Sequence, residues 1–239
     1  MIRHEARRTR ELAAVGPENF GDLAPLVALA LPHASTATRR TMAEQADVRR
    51  FDTGTVAYHQ AESRPFGIIA AGHAALRRTT PGGRQLVPRL AGRGRIVGIS
   101  GLVGRVASND VVALTPLEVA IWTPALVRGL AEADAGLGLD LLEHTIAMSR
   151  ELWEQLDALI YQDARARVAR VLAAHVDLLF GTPPEIPRAQ IAELVGTSRE
   201  MTRRVLRSLE QDRIVERVGT RGLRLTDESA LRDVARRVI

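Results

Sequence analysis

In the stretch LDLLEHTIAMSRELWEQLDALI, apolar side chains recur at Leu139, Leu142, Ile146, Trp153, Leu156 and Ile160, with Ser149 as the one polar member. The steps alternate between three and four residues, the a/d rhythm of a helix sustained over about three heptads. The stripe is narrow and flanked by charge. It predicts a helix, assigned to residues 134–162, that pairs with its own copy; a buried core helix is the alternative. The chain must therefore fold as two parts on either side of this helix, and the two parts have different textures.

Residues 1–47 read as a helical extension, with arginine-rich pieces alternating with apolar ones such as LAPLVALAL, interrupted by Pro25 and Pro32. It either packs on the strand-rich part after it or forms a free arm. Across 48–133, short apolar runs are punctuated by glycine and proline: FDTGTVAYHQ, FGIIAAGHAALRRT, RQLVPRL, RIVGI, DVVAL and LEVAIW. The turns are Pro81-Gly82-Gly83, Ala91-Gly92-Arg93-Gly94 and Thr115-Pro116. Short strands at this spacing predict an antiparallel sandwich or barrel. Pro124 then opens a short helix.

After the seam, Asp163 starts a helix expected to run to about Phe180. PRAQIAELV, TSREMTRRVLRSLEQD and RIVERVGTRGLRLTD come next: helix, tight turn at Gly196, second helix, two-stranded hairpin. A last helix spans about 227–237. This is the order of a winged helix-turn-helix, assigned to 163–239. Thr197 and Glu200 fit a T-x-x-E capping box. The first turn of such a second helix reaches base edges in a major groove. Arg199 and Glu200 stand there with Ser198, and Arg203, Arg204 and Arg207 lie further along. An arginine can fork onto guanine and a glutamate can accept from cytosine. Plain solvated charges, phosphate contacts for Arg203 and Arg207, and a capping role alone for Glu200 are the other readings. Residues 163–239 carry 15 arginines against 11 carboxylates, so four of the chain's five net positive charges lie there.

Composition narrows the chemistry. The chain has no cysteine, which excludes disulfides, thiolate nucleophiles and cysteine-ligated clusters. It has no lysine, so each arginine also stands for basic residues in general. No apolar run is long enough to span a bilayer, and a cytoplasmic protein without membrane contact is expected. There is no H-x-H pair, Walker loop, G-x-S-x-G or H-E-x-x-H motif, so an enzyme built on a cupin-like β domain is set aside and no catalytic or metal-binding residue is assigned.

IPRAQIAELVGTSREMTRRVLRSLEQDRIVERVG resembles the DNA-binding signature of the CRP/FNR family of bacterial transcription regulators. The stretch from Arg49 to Gly98 resembles that family's β-roll, and DVVALTPLEVAIW the strands that close it. The resemblance implies an α+β fold: an N-terminal antiparallel β-roll of jelly-roll type as sensor, a long dimerisation helix and a C-terminal winged helix-turn-helix. It implies a homodimer on double-stranded DNA, with Ser198, Arg199, Glu200 and Arg204 at base-contacting positions and a palindrome of GTGA-like half-sites. RNA polymerase would be a further partner for an activator. Pro187 departs from the family's usual hydroxyl cap, but proline suits a first helical turn.

The sensor departs further. Where cyclic-nucleotide-binding members place a Gly-Glu pair for the ribose, this chain has Gly98-Ile99. The position of the phosphate-binding arginine falls on Ala107, followed by Ser108, and the intervening segment is about two residues short. Arg105 is a nearby substitute. The two polar positions that would meet the adenine are Leu152 and Trp153. Cyclic AMP is therefore not expected in the usual way, and no cofactor is assigned. Haem would need an axial ligand, with His59, His73, His144 and His175 as candidates on paper. An apolar small molecule against Trp153, or no effector, completes the set. A nonspecific architectural DNA binder is disfavoured, because Glu200 in a groove would repel phosphates unless it reads a base.

Overall fold

The computed structural model describes residues 23–238 apart from 63, 64, 84, 182, 183, 185, 187 and 221. The first 22 residues of the extension, and Pro187, lie outside the described residues. From residue 23 the extension is part of the core. Helix α1 (Ala24–Ala30) carries Pro25 in its first turn, where the missing N–H has no intrahelical partner to lose, so this proline opens the helix rather than breaking it. Helix α2 (Thr36–Glu44) is capped by the Ser35 hydroxyl, which accepts from the Thr38 amide at 3.2 Å. Leu26, Val27, Leu31 and Met42 are buried against Phe66, Ile68 and Trp122. The Trp122 indole N–H donates to the Met42 carbonyl at 2.8 Å.

Eight strands succeed these helices: β1 (Asp47–Phe51), β2 (Val56–Tyr58), β3 (Phe66–Ala71), β4 (Ala74–Thr79), β5 (Gln85–Ala91), β6 (Ile96–Val97), β7 (Asp110–Ala113) and β8 (Leu117–Trp122). They form two four-stranded antiparallel sheets, ordered β1-β8-β3-β6 and β2-β7-β4-β5. Phe51, Tyr58, Ile69, Val111 and Val119 share a core drawn from both. Gly72 turns β3 into β4 with φ +78, and a Cβ there would fall 2.1 Å from the Pro116 carbonyl oxygen, so only glycine fits. β5 is an edge strand, which tolerates Pro88. Its register slips beside Pro88: Leu76 pairs with Arg89 and Arg78 with Leu86, leaving two β5 residues opposite one.

Helix α3 (Pro124–Ala133) leads into α4 (Ala135–Tyr161). The chain anchors α4 at three points. Near its start, Asp140 is buried and its carboxylate accepts from the backbone N–H groups of His33 and Ala34 and bonds the His33 ring. In the middle, the Glu151 carboxylate pairs with Arg89 at 2.9 Å and Arg95 at 2.8 Å, both on the sensor side. Near its end, Ala158 is buried. His144 lies within the field of this ion cluster. Burial first, then Arg89 and Arg95, push its imidazole down to about 4, with Glu151 opposing.

Asp163 caps helix α5 (Ala164–Ala174) by accepting from the Ala166 amide at 2.7 Å. The helix expected to continue to Phe180 stops at His175, and a separate turn, α6 (Val176–Leu179), brings Leu178 and Leu179 into the small core. Helices α7 (Ile191–Val195) and α8 (Arg199–Gln211), the hairpin β9 (Val215–Val218) with β10 (Gly222–Leu225), and α9 (Glu228–Ala235) complete the chain. Leu90 and Leu114 of the sensor pack on this C-terminal core, and α7 lies against β5. The edge strand is thereby covered by a helix instead of being left open.

Two substitutions probe this architecture. Asp140→Ala leaves two backbone donors without an acceptor and is expected to lower unfolding free energy by about 1–3 kcal/mol, read from urea denaturation; an unchanged midpoint contradicts the anchoring role. For His144 the folded-state pKa lies below the unfolded value of 6.5, so the unfolded chain takes up the proton first. Stability is then full above pH 7 and declines from about pH 6.5 to 5, above the carboxylate range. His144→Gln is expected to flatten that decline in urea titrations at several pH values.

Candidate nucleic-acid interface

The turn between α7 and α8 is set by Gly196, with φ 68 and ψ 39, whose amide returns to the Ala192 carbonyl together with that of Thr197. The cap that opens α8 is Ser198, one residue later than the expected Thr197: the Ser198 hydroxyl accepts from the Met201 amide at 3.0 Å. The capping box with Glu200 does not form, because Glu200 now occupies the second helical position and cannot reach back to the cap amide. Its side chain is 87% exposed.

The helix is two-faced. Thr202, Val205, Leu206 and Leu209 are buried in the small core. Arg199, Glu200, Arg203, Arg204 and Arg207 are all exposed, as is Ser198, with Thr197 half-buried. Glu200 and Arg204 lie 3.5 Å apart one turn along the helix, and Arg199 is 3.8 Å from Glu193 of α7. Pairs this exposed contribute little to stability. Arg165 of α5 bonds both Ser208 and Asp212, fixing the far end of α8.

Beside this face, two grooves of about 170 and 270 Å³ run between α8 and the hairpin. Arg188, Arg199, Arg203, Arg207 and Arg217 line them, with Glu210 as the one carboxylate. The Arg188 guanidinium donates to the Thr220 carbonyl at 3.4 Å. Burial pushes its pKa down, Arg217 and Arg203 add to that, and Glu210 opposes it. Sequence patterning alone does not single out Arg188, Arg217 and Thr220. They precede or succeed the helix-turn-helix by several residues, and only the folded hairpin brings them to α8. The arrangement can grip a polyanion along the groove, with Arg199 at its wall and Glu200 and Arg204 beside it.

The residues aligned with a nucleotide pocket are not gathered into one cavity. Gly98, with φ 77, caps a short 3-10 helix, Ile99–Val103, and Ile99 packs on the α1–α2 side of the core. Ala107 is buried and exchanges backbone hydrogen bonds with Ala61 and Glu62. Arg105 and Ser108 face solvent. Leu152 is exposed and Trp153 is 63% exposed, so within one chain neither forms a lid. The seam residues Leu139, Leu142, Ile146, Ser149, Leu156 and Ile160 are exposed as well, with Ile146 at 54%. His59 is exposed, and His73, His144 and His175 are half-buried. Among the described residues, His33, Asp140 and Glu143 are the one group whose ligand atoms lie close enough for a metal ion. Asp140 already spends its oxygens on backbone donors there.

Comparison with known proteins agrees with both halves. A model of the Crp-like helix-turn-helix domain matches residues 166–234, and a cyclic nucleotide-binding domain model matches residues 48–134. The chain is 30% identical over 199 residues to the cyclic AMP receptor protein of Thermus thermophilus, covering 78% of this chain and 87% of that one. It is 30% identical over 147 residues to the cAMP-activated global transcriptional regulator Vfr of Pseudomonas aeruginosa, covering 56% and 67%. Its fold is similar to that of FixK2 from Bradyrhizobium japonicum, with TM-score 0.71 at 18% identity over 81% of this chain and 99% of that one. It is also similar to TTHA1359, a CRP/FNR-family regulator of Thermus thermophilus, with TM-score 0.69 at 19% identity over 80% and 98%. With a cyclic nucleotide-binding domain fold followed by a long helix and a Crp-like helix-turn-helix, and with 30% identity to a relative covered over 87% of its length, the chain belongs to the CRP/FNR family of transcription regulators.

Proposed function

We propose that this regulator acts as a homodimer on a palindromic operator with GTGA-like half-sites, and that it does so without taking cyclic AMP as its relatives do. The observation that carries the DNA reading is the exposed face of α8, where Arg199, Glu200 and Arg204 project from the first turns while the opposite face is buried. Arg199 and Arg204 suit guanine, and Glu200 suits a cytosine amino group. Arg188, Arg203, Arg207 and Arg217 suit phosphates, which position the helix without reading sequence.

The dimer reading rests on α4. Its seam is exposed along its length, and apolar faces of that extent are rarely left in water. Leu152 and Leu159 widen the face toward the C-terminal end. Pairing two such helices sets the spacing of the two recognition helices, which must match about 34 Å, one turn of B-DNA. The family's relatives act as dimers, and a cytoplasmic, non-catalytic role is part of the same reading.

The cyclic-AMP reading rests on chemistry. A cyclic phosphate and ribose hydroxyls need charged and polar partners, since burying them unpaired is costly. Ile99 and Ala107 supply neither at the aligned positions, and both are engaged in the protein's own packing. Arg105 faces solvent. An effector, where one exists, acts elsewhere or through other chemistry, and neither haem nor a metal is assigned.

Three variants and one titration test these statements. Glu200→Ala is expected to relax preference at one base pair of each half-site, losing about 1–3 kcal/mol of discrimination, measured by competition between singly substituted operators; unchanged preference leaves Glu200 without a reading role. Arg217→Ala is expected to weaken all sequences alike and to reduce the salt slope by about one. Ile146→Glu is expected to yield monomers by sedimentation and to lose operator affinity; a dimer with full affinity overturns the α4 assignment. Saturable micromolar binding of cyclic AMP in calorimetry contradicts the statement about the sensor.

A further inference from the structure

The cleft where β5, α4, α5 and α7 meet holds more positive charge than the chain neutralises. Arg89 of β5 is the central case: its side chain is 8% exposed. Its Nε lies 2.9 Å from Glu151 Oε2, but Nη1 and Nη2 are buried with no hydrogen-bond partner among the described residues. Glu151 is shared, since its other oxygen is 2.8 Å from Arg95. One carboxylate thus serves two guanidiniums. An arginine does not escape by losing its proton, even though burial pushes the Arg89 pKa down, with Glu151 opposing and Arg95 adding to the fall. A buried charge left partly unpaired costs several kcal/mol.

The side chain lines a cavity of about 70 Å³ with Val87, Gln155, Arg170, His175 and Leu194. On the far wall, Arg170 of α5 also has a buried Nε without a partner, and Arg167 in the adjoining space has another. The charged groups that reach Arg170 are Glu154, which opposes its fall in pKa, and Arg167, which adds to it. His175 is pushed down by burial, then by Arg170 and His73. The cavity is therefore bounded on two sides by arginines with unpartnered N–H groups, Arg89 from the β domain and Arg170 from the helix-turn-helix domain. At about 10–15 Å³ per water-sized group, it has room for about five to seven such groups, enough for the five non-hydrogen atoms of phosphate.

We propose that this cleft binds a compact tetrahedral oxyanion of phosphate size, held between Arg89 and Arg170. The ligand completes the pairing that Glu151 provides only in part, through charge-assisted hydrogen bonds from both guanidiniums. Because its two walls come from different parts of the chain, an anion here favours this arrangement of sensor and DNA-binding domain over any in which α5 moves away from β5. That difference in affinity is what an effector needs to act. The site lies apart from Gly98–Ser108 and does not depend on the operator sequence proposed above.

The test is calorimetric titration of the full-length protein with inorganic phosphate, against sodium chloride of equal ionic strength, with sulfate and acetate as comparisons. Saturable binding is expected from phosphate and sulfate, weakened at least about tenfold, or 1.4 kcal/mol, by Arg89→Met and by Arg170→Gln. The two variants act from opposite walls, so the test stands if one of them fails to fold. Arg203→Gln combined with Arg217→Gln, which strips the groove beside α8, is expected to leave the binding intact. The proposal is overturned by no saturable binding beyond the chloride control, or by binding that survives both cleft variants. Binding lost with the groove variant, or acetate alone binding, also overturns it.

Discussion

Of the 27 residues of α4 only Leu137, Asp140 and Ala158 are buried, and Leu137 alone of them sits in a core cluster, so most of this helix lies outside its own chain's core. Everything else in the molecule is arranged around that constraint. The chain fastens α4 on one side by polar contacts, Asp140 to the 33–34 turn and Glu151 to Arg89 and Arg95, and leaves the apolar side open. Polar anchoring fixes the position and rotation of the helix without consuming the apolar stripe. The β sheets and the helix-turn-helix domain lie before and after this helix in the chain.

The two parts also touch directly. β5 is an edge strand with an irregular register next to Pro88, and the residue after the irregularity is Arg89. α7 covers that edge, and Gly196, the turn residue before the recognition helix, packs so closely on Leu86 that a Cβ would come within 2.9 Å of it. The turn that aims α8 thus rests on the sensor.

Much of this was legible in the sequence, and the reason differs by element. The seam, the strands punctuated by glycine turns and the two-faced α8 rest on local periodicity, which the fold has to respect. Thr197 and Ser198 both carry hydroxyls that could cap α8, and only the backbone torsions, extended at Ser198, choose between them. The stop at His175 carries no glycine or proline to announce it. Arg89, Glu151 and Arg170 were not legible at all: their meaning depends on contacts across tens of residues. In the sequence each was one more arginine or glutamate on a charged chain. The aligned nucleotide positions are readable as substitutions, but only the structure packs Ile99 against the core and places Ala107 in a backbone exchange.

On the proposed function, recognition comes down to one exposed helix face reading DNA in the geometry that a paired α4 would set. The decisive experiment is selection from random double-stranded DNA with the purified protein and no small molecule added. The expected result is enrichment of a palindrome with GTGA-like half-sites whose centres lie about one helical turn apart. Enrichment of unpaired single sites, or no enrichment over scrambled DNA at physiological salt, would contradict it.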